Sequence, residues 1–180
     1  LEPAVRQATQ KIIRRNRCDD LAFAVLLSAE NELITVLQPK SNKLHPADIL
    51  LVMNFVSSNS SLRKNETWMP LCLPRLESTG FLNCYISNIA NAYDKKKGIS
   101  LLLIATNNDL DVFRKFSSCK AAIENELRER RILDAIFVAQ ERGRFSTLTD
   151  VGVPQAFHFM YATAGSSLPQ FYSSAYSAPY

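Results

Sequence analysis

The sequence predicts an α+β domain: a five-stranded, mainly antiparallel sheet with one helix on one face and two on the other, plus an extra N-terminal helix. Three observations carry that expectation. Two continuous apolar runs, LAFAVLL at 21–27 and ISLLLIA at 99–105, are too short for helices and read as strands buried on both faces. Amphipathic helical spacing marks residues 2–17, 46–56 and the stretch after 108. The elements also come in runs (two strands, a helix, three strands, then helices) and lack the alternation that builds a parallel sheet. Strands apolar on both sides need cover on both faces.

Residues 2–17 set Val5, Ala8 and Ile12 on one side of a helix, with arginines crowding the end where the dipole favours cations. The first apolar run ends at a tight turn, Ala29-Glu30-Asn31-Glu32, and LITVL at 33–37 returns as a hairpin. His45-Pro46-Ala47-Asp48 is a helix start. Proline at the first helical position gives up no useful N–H, and an early aspartate suits the positive end of the dipole. Ile49, Val52, Met53 and Val56 follow at i, i+3, i+4, i+7, until the polar run at 57–65 stops the helix. Residues 67–73 are extended, and Pro70 confines them to a sheet edge or a bulge. Pro46 and Trp68 read as structural, the Trp68 ring packing into the core or under a helix. Gly80 opens a strand at 81–89, in which Phe81, Asn83 and Tyr85 alternate with Leu82, Cys84 and Ile86.

A lysine-rich turn at 94–98 leads into the second apolar run, and the period then changes. Asn108 with Asp111 resembles a capping box with aspartate in place of glutamate. Phe113, Phe116, Lys120, Ile123 and Leu127 keep helical spacing, Lys120 being the polar interruption. Another helix around 132–138 ends near Gly143, a residue suited to a C-cap. Residues 155–161 fit either a short helix after Pro154 or a strand through Phe157, Phe159 and Tyr161. The boundaries that follow are a linker helix at 1–18, one domain at 19–164, and a linker toward a following domain at 165–180. A first residue other than methionine and a tyrosine- and serine-rich tail suggest a piece of a longer protein.

A chain of 180 residues, 47% of them hydrophobic, can bury one good core. The net charge of +4 is too mild to imply nucleic acid, though it suits an anionic membrane surface. The four cysteines have no C-x-x-C spacing and the two histidines, His45 and His158, are far apart, so neither a metal site nor a disulfide framework is expected. Reduced thiols in the cytosol are the expectation, and no apolar run reaches the roughly 20 residues needed to span a bilayer. His45 beside Asp48 reads as a cap, not as a general base with its orienter. Asp19-Asp20 lacks the further oxygen ligands of a cation loop. No phosphate-cradling loop or serine-nucleophile elbow occurs, and Phe81 with Tyr85 lacks the glycine-spaced signature of an RNA platform. No catalytic residue, cofactor or metal is therefore assigned. The basic clusters, Arg14, Arg15 and Arg17 and above all Lys95, Lys96 and Lys97, are candidate contacts to a membrane or an acidic partner.

Several words in the chain stand out: L-H-P-x-D at Leu44, His45, Pro46 and Asp48; the serine-rich run at 57–61; and W-x-P-x-C-L-P at Trp68, Pro70, Cys72, Leu73 and Pro74. G-F at Gly80-Phe81, L-L-L-I-A-T at 101–106, and V-G-V-P at 151–154 followed by His158, Phe159 and Tyr161 complete the set. Together they resemble the SAND, or monensin-sensitivity-one, family of vacuolar fusion proteins. The resemblance implies the longin fold and the middle one of three longin domains. It implies a heterodimer with a second three-longin subunit, forming a guanine-nucleotide exchange factor for the late-endosomal Rab GTPase, with roles in lysosomal or vacuolar fusion and autophagy. The GTPase is then held by another domain, and this one scaffolds the pair and helps seat a third subunit in animals or a phosphoinositide-bearing membrane. A cytoplasmic protein recruited peripherally to late endosomes, lysosomes or vacuoles is expected, with no nucleic-acid partner. The alternative is a longin-type adaptor or SNARE-regulatory domain without an exchange role.

Overall fold

Burial dictates the strand order. The two runs read as doubly buried strands, β1 (Leu21–Leu27) and β5 (Ile99–Ala105), lie side by side inside the sheet, where each has a hydrogen-bonded neighbour on both edges. The computed structural model describes residues 1–63, 65–77, 80–89, 98–107, 109–141, 148–149, 151–162 and 171–173. They fall into two compact units, Leu1–Ala139 and Gln140–Tyr180.

The first unit holds α1 (Pro3–Arg15), β1, β2 (Leu33–Leu37), α2 (Pro46–Ser58), β3 (Thr67–Leu71), β4 (Leu82–Ile89), β5 and α3 (Leu110–Glu129). The last helix, α4 (Ile132–Glu141), begins in it. Strand order is β2-β1-β5-β4-β3, and every neighbouring pair is antiparallel. A 3₁₀ turn at Ser60–Arg63, within the polar run, separates α2 from β3. The hairpin turn puts Asn31 at φ 62°, a left-handed position that asparagine tolerates, and Ser28 Oγ accepts from the Glu32 N–H at 3.0 Å.

Every residue of β5 is buried, so its two faces sort the helices. Ile99, Leu101, Leu103 and Ala105 join one apolar cluster with Ala24, Leu26, Tyr85 and Ile89, and with residues of α1, α3 and α4. Phe23, Val25, Leu27, Ile86, Leu102 and Ile104 have the other parity and are equally buried. The remaining helix, α2, supplies the cover there through Ile49, Val52 and Val56. This is the expected longin-type layering. Each such side chain removed from water contributes about 1.5–3 kcal/mol.

Helix phases depart from expectation in two places. In α3 the buried stripe is Val112, Phe116, Cys119, Ile123 and Leu127. Lys120 lies beside it and pairs with Glu124 at 3.2 Å and Glu66 at 3.7 Å, so it interrupts nothing. In α1, Thr9, Ile12 and Ile13 are buried in place of Ala8. Thr9 satisfies its hydroxyl by donating to the Val5 carbonyl at 2.8 Å, which removes the usual cost of burying it. The helix expected as a linker thus shares the core.

The capping box expected at Asn108 is not the cap that forms. Asp109 is the N-cap, without a side-chain cap bond, and Asn108 itself lies outside the described residues. Gly143 and the boundary at 164/165 also lie outside them. Phe81 precedes β4 and is 70% exposed. In the second unit, residues 155–159 form neither helix nor strand, so neither alternative for 155–161 holds throughout. Only Met160–Ala162 (β6) is extended, pairing with Phe171–Ser173 (β7) in the stretch read as a linker.

Under α3 the aromatic rings interlock. Trp68 meets Phe113 edge-on at 6.4 Å and Phe116 at 6.1 Å, and Tyr85 meets the same two rings at 5.5 and 6.3 Å. Trp68 is thus packed under a helix, as its strand position predicts, and Pro70 sits exposed on the edge strand β3. Truncating the fully buried ring in Phe116→Ala should cost about 3–5 kcal/mol, and truncating the half-buried Trp68 about 2–3 kcal/mol. Urea unfolding followed by far-ultraviolet circular dichroism checks both; a midpoint within error of the parent for Phe116→Ala would contradict this packing.

Candidate interaction site

The two words richest in unusual residues meet in space. His45 caps α2, its Nδ1 accepting from the Ala47 N–H at 3.2 Å, and Pro46 takes the first helical position. Asp48, one turn in, is 2% exposed and turns away from solvent to accept from the Arg75 N–H at 3.3 Å through Oδ1. Pro74 sits exposed in the turn that follows Leu73, and Leu73 is completely buried. The Leu73 carbonyl accepts from the N–H groups of Leu76 and Glu77 at 3.0 and 2.9 Å. One carboxylate therefore ties the start of α2 to the strand-to-turn segment after β3.

With Asp48 buried, α2 shows no charge on its outer surface, where Ala47, Leu50, Leu51, Asn54, Ser57 and Ser58 are exposed. Sequence spacing placed the inner face of this helix but gave no role to Leu50 and Leu51. The available signal was an absence: residues 46–58 contain a single ionisable side chain.

The basic cluster at the end of α1 divides. Arg15 Nη1 donates to Glu126 Oε1 at 2.8 Å, and Arg130 Nε donates to the same oxygen at 2.9 Å. Asn16, the C-cap of α1, donates to Glu126 Oε2 at 2.6 Å. Glu126 is the hub of a latch between α1 and α3. The Asn16 hydrogen bond, aided by Arg15 and Arg130 and opposed by burial, holds its carboxyl below the usual glutamate range. Arg14 and Arg17 are exposed and make no ion pair among the described residues. Lys95, Lys96 and Lys97 lie outside the described residues.

Asp20 makes a second fastening. It accepts from Lys115 Nζ at 2.6 Å and Asn107 Nδ2 at 2.7 Å, joining the segment before β1 to the end of β5 and to α3. The Lys115 hydrogen bond, then Asn107, holds its carboxyl below the usual aspartate range. Sequence spacing does not show either fastening, because Asn16 lies 110 residues from Glu126 and Asn107 lies 87 residues from Asp20.

Among the described residues, no group of three or more His, Cys, Asp or Glu side chains is placed to hold a metal ion, and the four cysteines are unpaired. Burial pushes the Cys119 thiol up to about 12 and raises Cys84 as well, the opposite of a nucleophilic thiolate.

The family described as the second longin domain of FUZ, MON1 and HPS1 matches residues 19–124, from just before β1 into α3. The chain belongs to this family. Its relatives include vacuolar fusion protein MON1 homolog A of Gallus gallus, 36% identical across the whole chain, which spans 31% of that protein. The Homo sapiens homolog A is 34% identical across the whole chain, spanning 26% of it. The MON1 protein of Yarrowia lipolytica is 31% identical over 89% of the chain and 28% of its own length. The longin domain described here thus corresponds to under a third of those relatives. Among solved structures, MglB in a tetrameric arrangement is 12% identical with a TM-score of 0.44, covering 70% of this chain and 94% of that one. That likeness is too distant to speak to function.

Two outcomes follow from the fastenings. Glu126 has a lower pKa folded than the 4.5 of an ordinary glutamate, so its stabilisation is complete above that value and fades as pH falls through the folded pKa. The melting-temperature gap between the parent and Glu126→Gln should be open at neutral pH and close progressively below about 4.5. A gap independent of pH would refute the latch. Asp48→Ala should cost about 1–3 kcal/mol and release the Arg75 amide. Hydrogen exchange at Arg75 is the measurement, and unchanged protection there would show that Asp48 does not tether the turn.

Proposed function

We propose that this longin domain is a non-catalytic scaffold in a heterodimeric guanine-nucleotide exchange factor that activates a late-endosomal Rab GTPase for fusion with lysosomes or vacuoles. The observation that carries the reading is similarity to vacuolar fusion proteins along the whole chain, within a family of second longin domains. A second domain implies a first, and in this arrangement the first holds the GTPase. The present domain then contributes surfaces: to a second three-longin subunit, to a third subunit in animals, and to a phosphoinositide-bearing membrane.

Physical features of the domain support that division of labour. Its ionised side chains fasten helices and turns, and its buried thiols are held protonated. What it offers outward is an uncharged helix face on α2 and a cationic end where α1 meets α3. Both suit recognition better than bond-making. No helix among the described residues is long and apolar enough to cross a membrane, so membrane contact would be made from the surface.

The 180-residue chain, added to a Rab GTPase loaded with a fluorescent guanine nucleotide, should leave the release rate at that of the buffer control. Co-expressed with a second three-longin subunit, it should co-purify with it. Accelerated release by the chain alone would overturn the scaffold assignment, and failure to associate would overturn the heterodimer.

A further inference from the structure

Between α1 and α3 lies a cleft of about 400 Å³. Ala4 and Ala8 supply small apolar side chains to its lining, while Lys11 and Arg15 from α1 and Arg130, the C-cap of α3, bring three cations against one carboxylate, Glu126. That carboxylate is already engaged: Oε2 accepts from Asn16, and Oε1 accepts from Arg15 and Arg130. Each guanidinium has five N–H donors and commits one of them to Glu126, so both keep donors for a further acceptor. Lys11 has no ion pair at all among the described residues. The helix that carries it, α1, has no carboxylate of its own.

We propose that the α1–α3 cleft docks an acidic segment of a partner protein. Carboxylates of that segment meet Lys11 and the uncommitted donors of Arg15 and Arg130, and its small aliphatic side chains rest against Ala4 and Ala8. Charge complementarity selects the partner: a planar carboxylate matches the guanidinium fork, and the apolar part of the lining rewards a side chain that a bare anion lacks. An anionic lipid surface would suit cations that protrude over a flat face; these border a recess. The Glu126 latch holds Arg15 and Arg130 in place before any partner arrives, which lowers the ordering cost of binding. This inference goes beyond the exchange-factor reading and does not depend on it.

The test uses the full 180-residue chain and a fluorescein-labelled helical peptide of alanine and glutamate. An otherwise identical peptide with glutamine for glutamate, and phosphatidylcholine vesicles with and without phosphatidylserine, are the comparison arms. Fluorescence anisotropy should show binding of the glutamate peptide and none of the glutamine peptide. Lys11→Glu, an exposed change that leaves the core intact, should weaken binding about tenfold. Ala8→Phe, which fills the cleft without altering charge, should abolish it, whereas Lys43→Glu, outside the cleft, should change it by less than about twofold. Equal losses from Lys11→Glu and Lys43→Glu would mean bulk electrostatics and overturn the site. So would full binding by both Lys11→Glu and Ala8→Phe, or Lys11-dependent binding to phosphatidylserine vesicles without binding of the glutamate peptide.

Discussion

Strand β5 imposes the constraint from which the rest of the domain follows. All seven of its residues are buried, so its backbone groups must find partners in strands on both sides and both of its faces must be covered. β1 and β4 meet the first requirement, in registers that pair Leu21 with Ala105 and Ile89 with Ile99. The second sends α2 to one face and α1, α3 and α4 to the other. With both faces covered by helices, what the sheet presents outward is its edges.

Those edges are treated differently. On β3, Pro70 removes an N–H from the exposed edge and discourages pairing with another strand. On β2, Gln10 of α1 donates to the Val36 carbonyl at 2.9 Å, so the N-terminal helix closes that edge with a side chain. α1 therefore does three things at once: it buries Ile12 and Ile13, protects β2, and forms one wall of the cationic cleft. Its placement outside the family match at 19–124 makes these contributions a property of the longer chain as much as of the longin core.

The polar side chains of this domain hold elements together. Asp48 joins α2 to the turn after β3, Asp20 joins the segment before β1 to α3, and Glu126 joins α1 to α3. In each, a carboxylate bridges elements separated in sequence. Fixed surfaces of this kind favour recognition, since less ordering remains to be done when a partner binds.

The sequence by itself determined most elements and their layering, for reasons that are local or nearly so. Runs of apolar residues too short for helices gave β1 and β5 with their observed bounds, and Pro46 with His45 gave the start of α2. Pro70 placed β3 at an edge, and the unusual words around Asp48 and Trp68 pointed to the family. Where the sequence offered more apolar residues than one stripe could bury, as in α3, only packing chose Val112 and Cys119 over Lys120 and turned Phe113 toward Trp68 and Tyr85. The fastenings of Asp20 and Glu126, and the cleft beside the second, were likewise decided by tertiary structure alone. Electrostatic and hydrogen-bonded pairs that span some hundred residues leave no periodicity in the chain. Such a pair exists only once the sheet has brought its two halves together.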